Sequence, residues 1–175
     1  MFEEYLEDAR HYANEGRNAA DERVAKRAYR SAVFCIAAAV EAFVNYVADT
    51  LEQGGKFEAH EIAFLTDKKF GLTGGAFQKL NQAEFHRLED KLVFLLTKFR
   101  ANFDRATNPN WARFQEFKKL RDAITHPRSA EDEIPLTRYK KMVESGLPSS
   151  IGIMDSLCKS VFRRRLRKRI LDLAE

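Results

Sequence analysis

An all-α, antiparallel helical bundle, with a four-helix core and a basic C-terminal helix, is the architecture that this 175-residue sequence predicts. Three features point there. Glycine (8) and proline (4) are scarce and fall mostly at segment ends, whereas β-rich chains use both freely in turns. Apolar residues recur at spacings of three and four over most of the chain. One stretch, Ala32 to Val40, is apolar all round, as expected of the central helix of a bundle. A chain of this length can bury roughly 70% of its unfolded surface, so it needs no disulfide or metal staple. A single domain over 1–175 follows, with a polar linker at 127–137 and a basic amphipathic helix at 149–173.

The elements read in order. Phe2, Tyr5, Leu6, Ala9, Tyr12 and Ala13 repeat at helical spacing, and Gly16 is expected to close that helix. Asn18 can cap the next, which runs to about Glu52 and ends at Gly54-Gly55. Residues 56–83 are the least legible. A short helix fits Glu58 to Thr66, and FGLTGGAF reads as a glycine-containing connection, since a phosphate cradle would need a preceding strand and a GK[ST] ending. Phe85, Leu88, Leu92, Leu95, Leu96, Phe99 and Phe103 then mark a helical row. Asn108-Pro109 starts another helix, proline being tolerated at a first position. That helix presents Phe114, Phe117, Leu120 and Ile124 and stops at His126-Pro127. After the linker PRSAEDEIP, a short helix at Tyr139–Glu144 is expected to break at SGLP. A last helix carries Met154, Cys158, Phe162, Leu166, Ile170 and Leu173.

Charge and cysteine usage narrow the function classes. Cys35 and Cys158 lack paired spacing, and the opening MFEEYLED is no secretory leader, so a reduced, cytoplasmic setting is expected. Ala32 to Ala48 raises the membrane question, but Glu41 at its centre and Asn45 one turn later favour a buried core helix. The net charge is +4, yet residues 156–175 hold seven Lys or Arg against Asp172 and Glu175, leaving the other 155 residues at −1. The basic character therefore belongs to the C-terminal segment and suits a phosphate-bearing partner.

The segment FKKLRDAITHPR, residues 117–128, carries the chemistry. On an unbroken helix Arg121 and His126 would point about 140° apart. Pro127 disfavours the α conformation at His126, so the imidazole can swing away from its helical direction and toward Arg121. Asp122, one turn earlier, is positioned to fix the ring tautomer and favour its protonated form, as does the carbonyl end of the helix. Arg121 offers a planar donor fork that matches two phosphate oxygens. A proton-transfer group beside a phosphate clamp is what attack of a ribose 2′-hydroxyl on the neighbouring phosphorus requires, and nothing in that scheme needs a metal.

These residues resemble the RNase motif of the HEPN superfamily, an arginine followed by a polar residue and a histidine about five positions on. In this chain Arg121 and His126 match the two defining positions, and Asp122 the polar one. The apolar RSAVFCIAAAVEAFVNYV helix agrees with that family's context. The resemblance spans roughly residues 1–170 as an arrangement of helices, and RDAITHP is its specific part. It implies a four-helix core, a homodimer whose two motifs meet in one composite cleft, and metal-independent endoribonuclease activity. Such activity often serves a toxin or antiviral effector held in check by an antitoxin or regulatory protein. Some members of the family bind without cutting, so a non-catalytic nucleotide- or RNA-binding or dimerisation module is the rival reading.

Other residues are secondary candidates. Glu41 and Asn45 share one face of an apolar helix and read either as support facing the Arg121 site or as a polar strip at a bundle edge. Lys118 and Arg128 flank the motif and can take phosphates, as can Lys119. The run FRRRLRKRI, with Arg163, Arg164 and Arg167, reads either as an RNA-backbone track or as a solvated or partner-binding face. His11, His60 and His86 lack partners at ligand spacing, so no metal site and no cofactor is expected. Trp111, near a helix start, is expected to pack.

Overall fold

The computed structural model describes residues 1–127 and 133–175. They are mostly helical, in the order α1 (Phe2–Asn18), α2 (Glu22–Gln53), α3 (Ala59–Leu65), β1 (Lys68–Thr73), β2 (Ala76–Ala83), α4 (Leu88–Lys98), α5 (Pro109–Thr125), α6 (Leu136–Phe162) and α7 (Lys168–Leu171), with a closing 3₁₀ turn at Asp172–Ala174. The described residues form two compact units. Met1–Val40 with Ala101–Glu175 form the first, and Glu41–Arg100 the second. The helix α2 contributes residues to both. It is long and apolar enough to cross a membrane by length and composition, and half of that window is buried within the fold.

In the first unit, α1 extends through Gly16 rather than ending there, and Asp21 replaces Asn18 as the cap of α2, its carboxylate accepting from the Val24 amide at 2.9 Å. The helix α6 packs against α5 and α1. Its Gly146 allows α5 to come close, since a Cβ there would lie 2.5 Å from the Phe117 ring. Phe114, Phe117 and Leu120 of α5 and Val143, Leu147, Ile151, Met154 and Leu157 of α6 are buried. Trp111 packs as expected, edge-on to Phe103 at 6.2 Å.

Two further sequence expectations fail in this unit. The break at SGLP does not occur, because α6 runs through Pro148. A proline inside a helix costs about 3 kcal/mol, but the buried row Tyr139, Val143, Leu147, Ile151, Met154, Cys158 continues across it without a change of phase. Burial of one continuous face outweighs the local defect. Nor does a basic helix span 149–173. The chain leaves α6 at Arg163, which adopts a left-handed conformation (φ 57°), and returns to helix only at Lys168. A buried carboxylate turns it. Asp155 accepts from the Leu166 amide at 3.0 Å and from the Arg165 guanidinium at 3.1 Å, which brings Leu166 back onto α6, where it and Ile170 are buried.

The second unit holds the departure from an all-α fold. A short helix forms where expected, started by a capping box in which Glu58 and Glu61 each bond the other's backbone. The segment read as a glycine connection is an antiparallel hairpin, β1 pairing β2 with Phe70 opposite Lys79 and Leu72 opposite Phe77. Gly74 and Gly75 turn it with φ of 59° and 81°, the two positive values that a tight primed turn requires. Phe85 stands outside α4 and is 87% exposed, so the helical row begins at Leu88. Leu92, Leu95 and Leu96 are buried, and Lys91 and Lys98 of α4 form ion pairs with Asp67 and Glu61.

Candidate functional site

The helix α5 is defined at both ends by its own sequence. Asn108 accepts from the Asn110 amide at 2.9 Å and Pro109 occupies the first turn. At the other end His126 takes φ −129° and ψ 67°, outside the helical region, as a residue before proline is driven to do. Its backbone N–H still donates to the Asp122 carbonyl at 2.9 Å, and the Thr125 hydroxyl donates to the Arg121 carbonyl at 2.8 Å. One of the last orphan carbonyls, that of Asp122, is thereby satisfied without fixing the imidazole, which is exposed.

Arg121 follows the buried Leu120, so the packing of α5 leaves its side chain at the rim, 24% exposed. Its Nη1 lies 3.3 Å from the Asp122 carboxylate, and Lys118 Nζ approaches the same carboxylate at 3.7 Å. The ring pairing expected for Asp122 is therefore replaced, among the described residues, by pairing with two cations. The proline effect explains the change. Once His126 leaves helical angles, its side chain no longer continues the row through Asp122. The last turn of α5 thus presents a guanidinium and an ammonium at one half-exposed carboxylate, with the exposed imidazole on the residue that follows the helix. An anion that displaced Asp122 would find two donors already gathered. Arg128 lies outside the described residues.

Glu41 and Asn45 stand on the exposed side of α2, so the burial cost that singled them out is not incurred. The basic run is not one helical face. Arg163 ends α6, Arg164 lies over the Phe162 ring at 5.9 Å, and Arg165 with Lys159 holds Asp155. Arg167 and Arg169 both reach Glu3, at 3.2 and 2.6 Å, and Arg169 also meets Glu7 at 3.1 Å. The track expected through Arg167 is thus partly committed to α1, because the turn at Asp155 carries the run back over the fold.

Electrostatics agree with a structural role for these partners. Burial would raise the Asp155 carboxyl, but Lys159, Arg165 and the Leu166 amide outweigh it and hold the group below the ordinary carboxylate range. Burial pushes the Cys158 thiol up to about 11 and raises that of Cys35, so neither is primed as a thiolate nucleophile near neutral pH. His11 pairs with Glu15 at 3.4 Å, and among the described residues no group of three or more His, Cys, Asp or Glu could hold a metal ion.

One feature of the surface escaped the sequence reading. Leu72 and Phe77 of the hairpin are 62% and 70% exposed. Two short runs carrying apolar residues on either side of Gly-Gly were the available signal. No family model, no curated protein and no solved structure matches the chain.

Proposed function

We propose that this protein is a metal-independent endoribonuclease of HEPN type, active as a homodimer with a composite cleft. The four-helix core is then supplied by α1, α2, α5 and α6. Arg121 takes the scissile phosphate in place of Asp122, with Lys118 balancing the displaced carboxylate. His126 accepts the proton of the 2′-hydroxyl as that oxygen attacks phosphorus. The bond from phosphorus to the 5′-oxygen breaks, and the leaving oxygen receives a proton, from the same histidine or from that of the second copy. The products carry a 2′,3′-cyclic phosphate and a 5′-hydroxyl. A toxin or antiviral effector role in the cytoplasm, restrained by a regulatory partner, accords with such an activity.

The observation that carries this reading is the end of α5, where an exposed histidine stands outside the helix on the turn that holds a rim arginine. The test is incubation of the purified protein with mixed RNAs in excess chelator, beside His126→Ala and Arg121→Ala. Cleavage by the wild type alone, leaving cyclic phosphate ends, is expected. Equal cleavage by all three proteins would remove the assignment. Binding without turnover would favour the non-catalytic module, a reading to which the engagement of Arg121 by Asp122 lends support.

A further inference from the structure

One face of α6, from Thr137 to Pro148, forms with Arg113 of α5 a groove of about 420 Å³. Its wall on α6 steps by three and four residues, through Lys140, Lys141, Glu144 and Ser145. At about 1.5 Å per residue, the span from Thr137 to Pro148 makes it about 16 Å long. The seat of α6 on α5 gives the groove its direction. Gly146 lies against Phe117 and Gly152 against Asn110, so passing up α6 is passing back along α5. The two helices are antiparallel. The Thr137 end of the groove therefore lies at the end of the unit where α5 stops and Arg121 and His126 stand.

The charge of the groove is mostly of one sign. Arg113, Lys140 and Lys141 are exposed, and Arg113 and Lys140 form no ion pair among the described residues. Glu144 is the one carboxylate of the lining, and Arg17 of α1 approaches it at 3.8 Å. Glu116 of α5 is bonded by Lys119 at 2.6 Å, and that bond, with Lys141 and Arg138 nearby, holds its carboxyl below the ordinary range. Two carboxylates thus stand among six cations. A cleft with one sign of charge in excess concentrates a polyanion. Acceptors stand beside the cations. The Ser145 hydroxyl donates to the Lys141 carbonyl at 2.9 Å, which leaves its own oxygen open to accept. Pro148 has no N–H, so the Glu144 carbonyl lacks its usual donor four residues on. Cations for phosphates and acceptors for ribose hydroxyls, over the length of about four nucleotides at about 3.4 Å each, match an RNA strand. A polycarboxylate would use only the cations.

We propose that the groove along α6 is the track on which an RNA strand approaches the end of α5, its phosphates held by Arg113, Lys140 and Lys141. This rests on the reading of the protein as an RNA enzyme, but its binding test does not depend on turnover. Binding of a labelled oligo-uridine is followed by fluorescence anisotropy over a range of salt with His126→Ala protein, so that no strand is cut. Adding Arg113→Gln and Lys140→Gln together should weaken binding and lower the salt slope by about 1.4, at about 0.7 for each phosphate contact. Lys140→Arg should keep the slope of the parent. Lys56→Gln, which removes one exposed cation from the second unit, should leave it unchanged. Circular dichroism of the double variant should match the parent, since both side chains are exposed. With His126 restored, the double variant should raise KM for RNA and leave kcat near that of the wild type, as loss of uniform binding does.

The proposal is overturned if the double variant binds with the affinity and salt slope of the parent, or if Lys56→Gln lowers the slope as much as Lys140→Gln does alone. It is overturned too if an oligo-glutamate of equal charge binds as tightly as the RNA and with the same dependence on Arg113 and Lys140, which would make the groove a site for acidic chains. Binding that depends on these two residues in a protein that never cuts RNA would end the nuclease reading and leave the track standing. Cleavage by the double variant with an unchanged KM and an unchanged salt slope would do the reverse.

Discussion

The end of α5 and the segment after α6 are alike in sequence, each a short basic stretch on the edge of a helix, and they differ in what their cations hold. After α6, Arg165 bonds a carboxylate 10 residues back, and Arg167 and Arg169 reach Glu3, more than 160 residues away. These contacts tie the end of the chain to α6 and α1. At the end of α5, Lys118 and Arg121 share Asp122, a residue of their own turn that is 44% exposed. An exposed pair between such neighbours contributes about 0–1 kcal/mol by itself. The density of basic residues is therefore a poor guide to available charge. What matters is whether breaking the pair also loosens the fold.

That contrast can be tested from both sides. The largest effect is expected at His126. His126→Ala should reduce the rate of RNA cleavage by roughly 10²–10⁴-fold, the usual range for a proton-transfer group, with an unchanged melting temperature. A comparable fall in melting temperature would mean that the α5 end is structural as well. Asp155→Asn should do the opposite. Loss of a buried carboxylate bonded to a guanidinium and an amide should cost about 1–3 kcal/mol in urea denaturation, while the rate per folded molecule is retained.

The pH dependence follows from the same group. Asp155 has a depressed folded-state pKa, so its contribution is complete above the ordinary carboxylate value of about 4 and is lost as pH falls through the lower folded value. The stability gap between wild type and Asp155→Asn should accordingly close in acid. A gap that is constant from pH 6 to pH 2 would show that the carboxylate charge contributes nothing there.

Gly146→Ala probes the seat of α5 on α6. A Cβ 2.5 Å from the Phe117 ring must displace it, at a cost of about 1–3 kcal/mol for an overpacked contact, read as a lower denaturation midpoint. The smallest effects should come from the pairs themselves. Asp122→Asn should shift stability by less than about 1 kcal/mol and leave cleavage intact. Abolished cleavage in that variant would restore Asp122 as the orienter of His126. Arg169→Ala should leave the salt dependence of RNA binding unaltered, whereas a reduced slope would return the C-terminal run to the role of a phosphate track.

Much of the candidate site was legible because its causes are local. The Asn108-Pro109 start, the buried Phe114-Phe117-Leu120 row and the exit of His126 from helical angles each depend on residues within one or two turns. The short helix after Glu58 was legible for the same reason. The hairpin reads as a mere connection in the sequence because its strands are short, largely exposed and without a clean two-residue alternation, although Gly74-Gly75 between Leu72 and Phe77 carries the turn. The bond from Asp155 to Leu166 had no local sign. Eleven residues separate its partners, and a lone aspartate on an apolar helix does not announce what it will accept from.

By itself the sequence determined where helices can start and stop, since capping side chains and proline act on the backbone beside them. It also determined that a histidine would stand free of the helix end, five residues from an arginine. Only the tertiary structure decided that α6 continues through Pro148, that Asp155 folds the basic run back and that Arg167 and Arg169 close on α1. Those outcomes depend on burying a continuous face and on satisfying a buried carboxylate. Both are settled between residues far apart in the chain, where local preference has no hold.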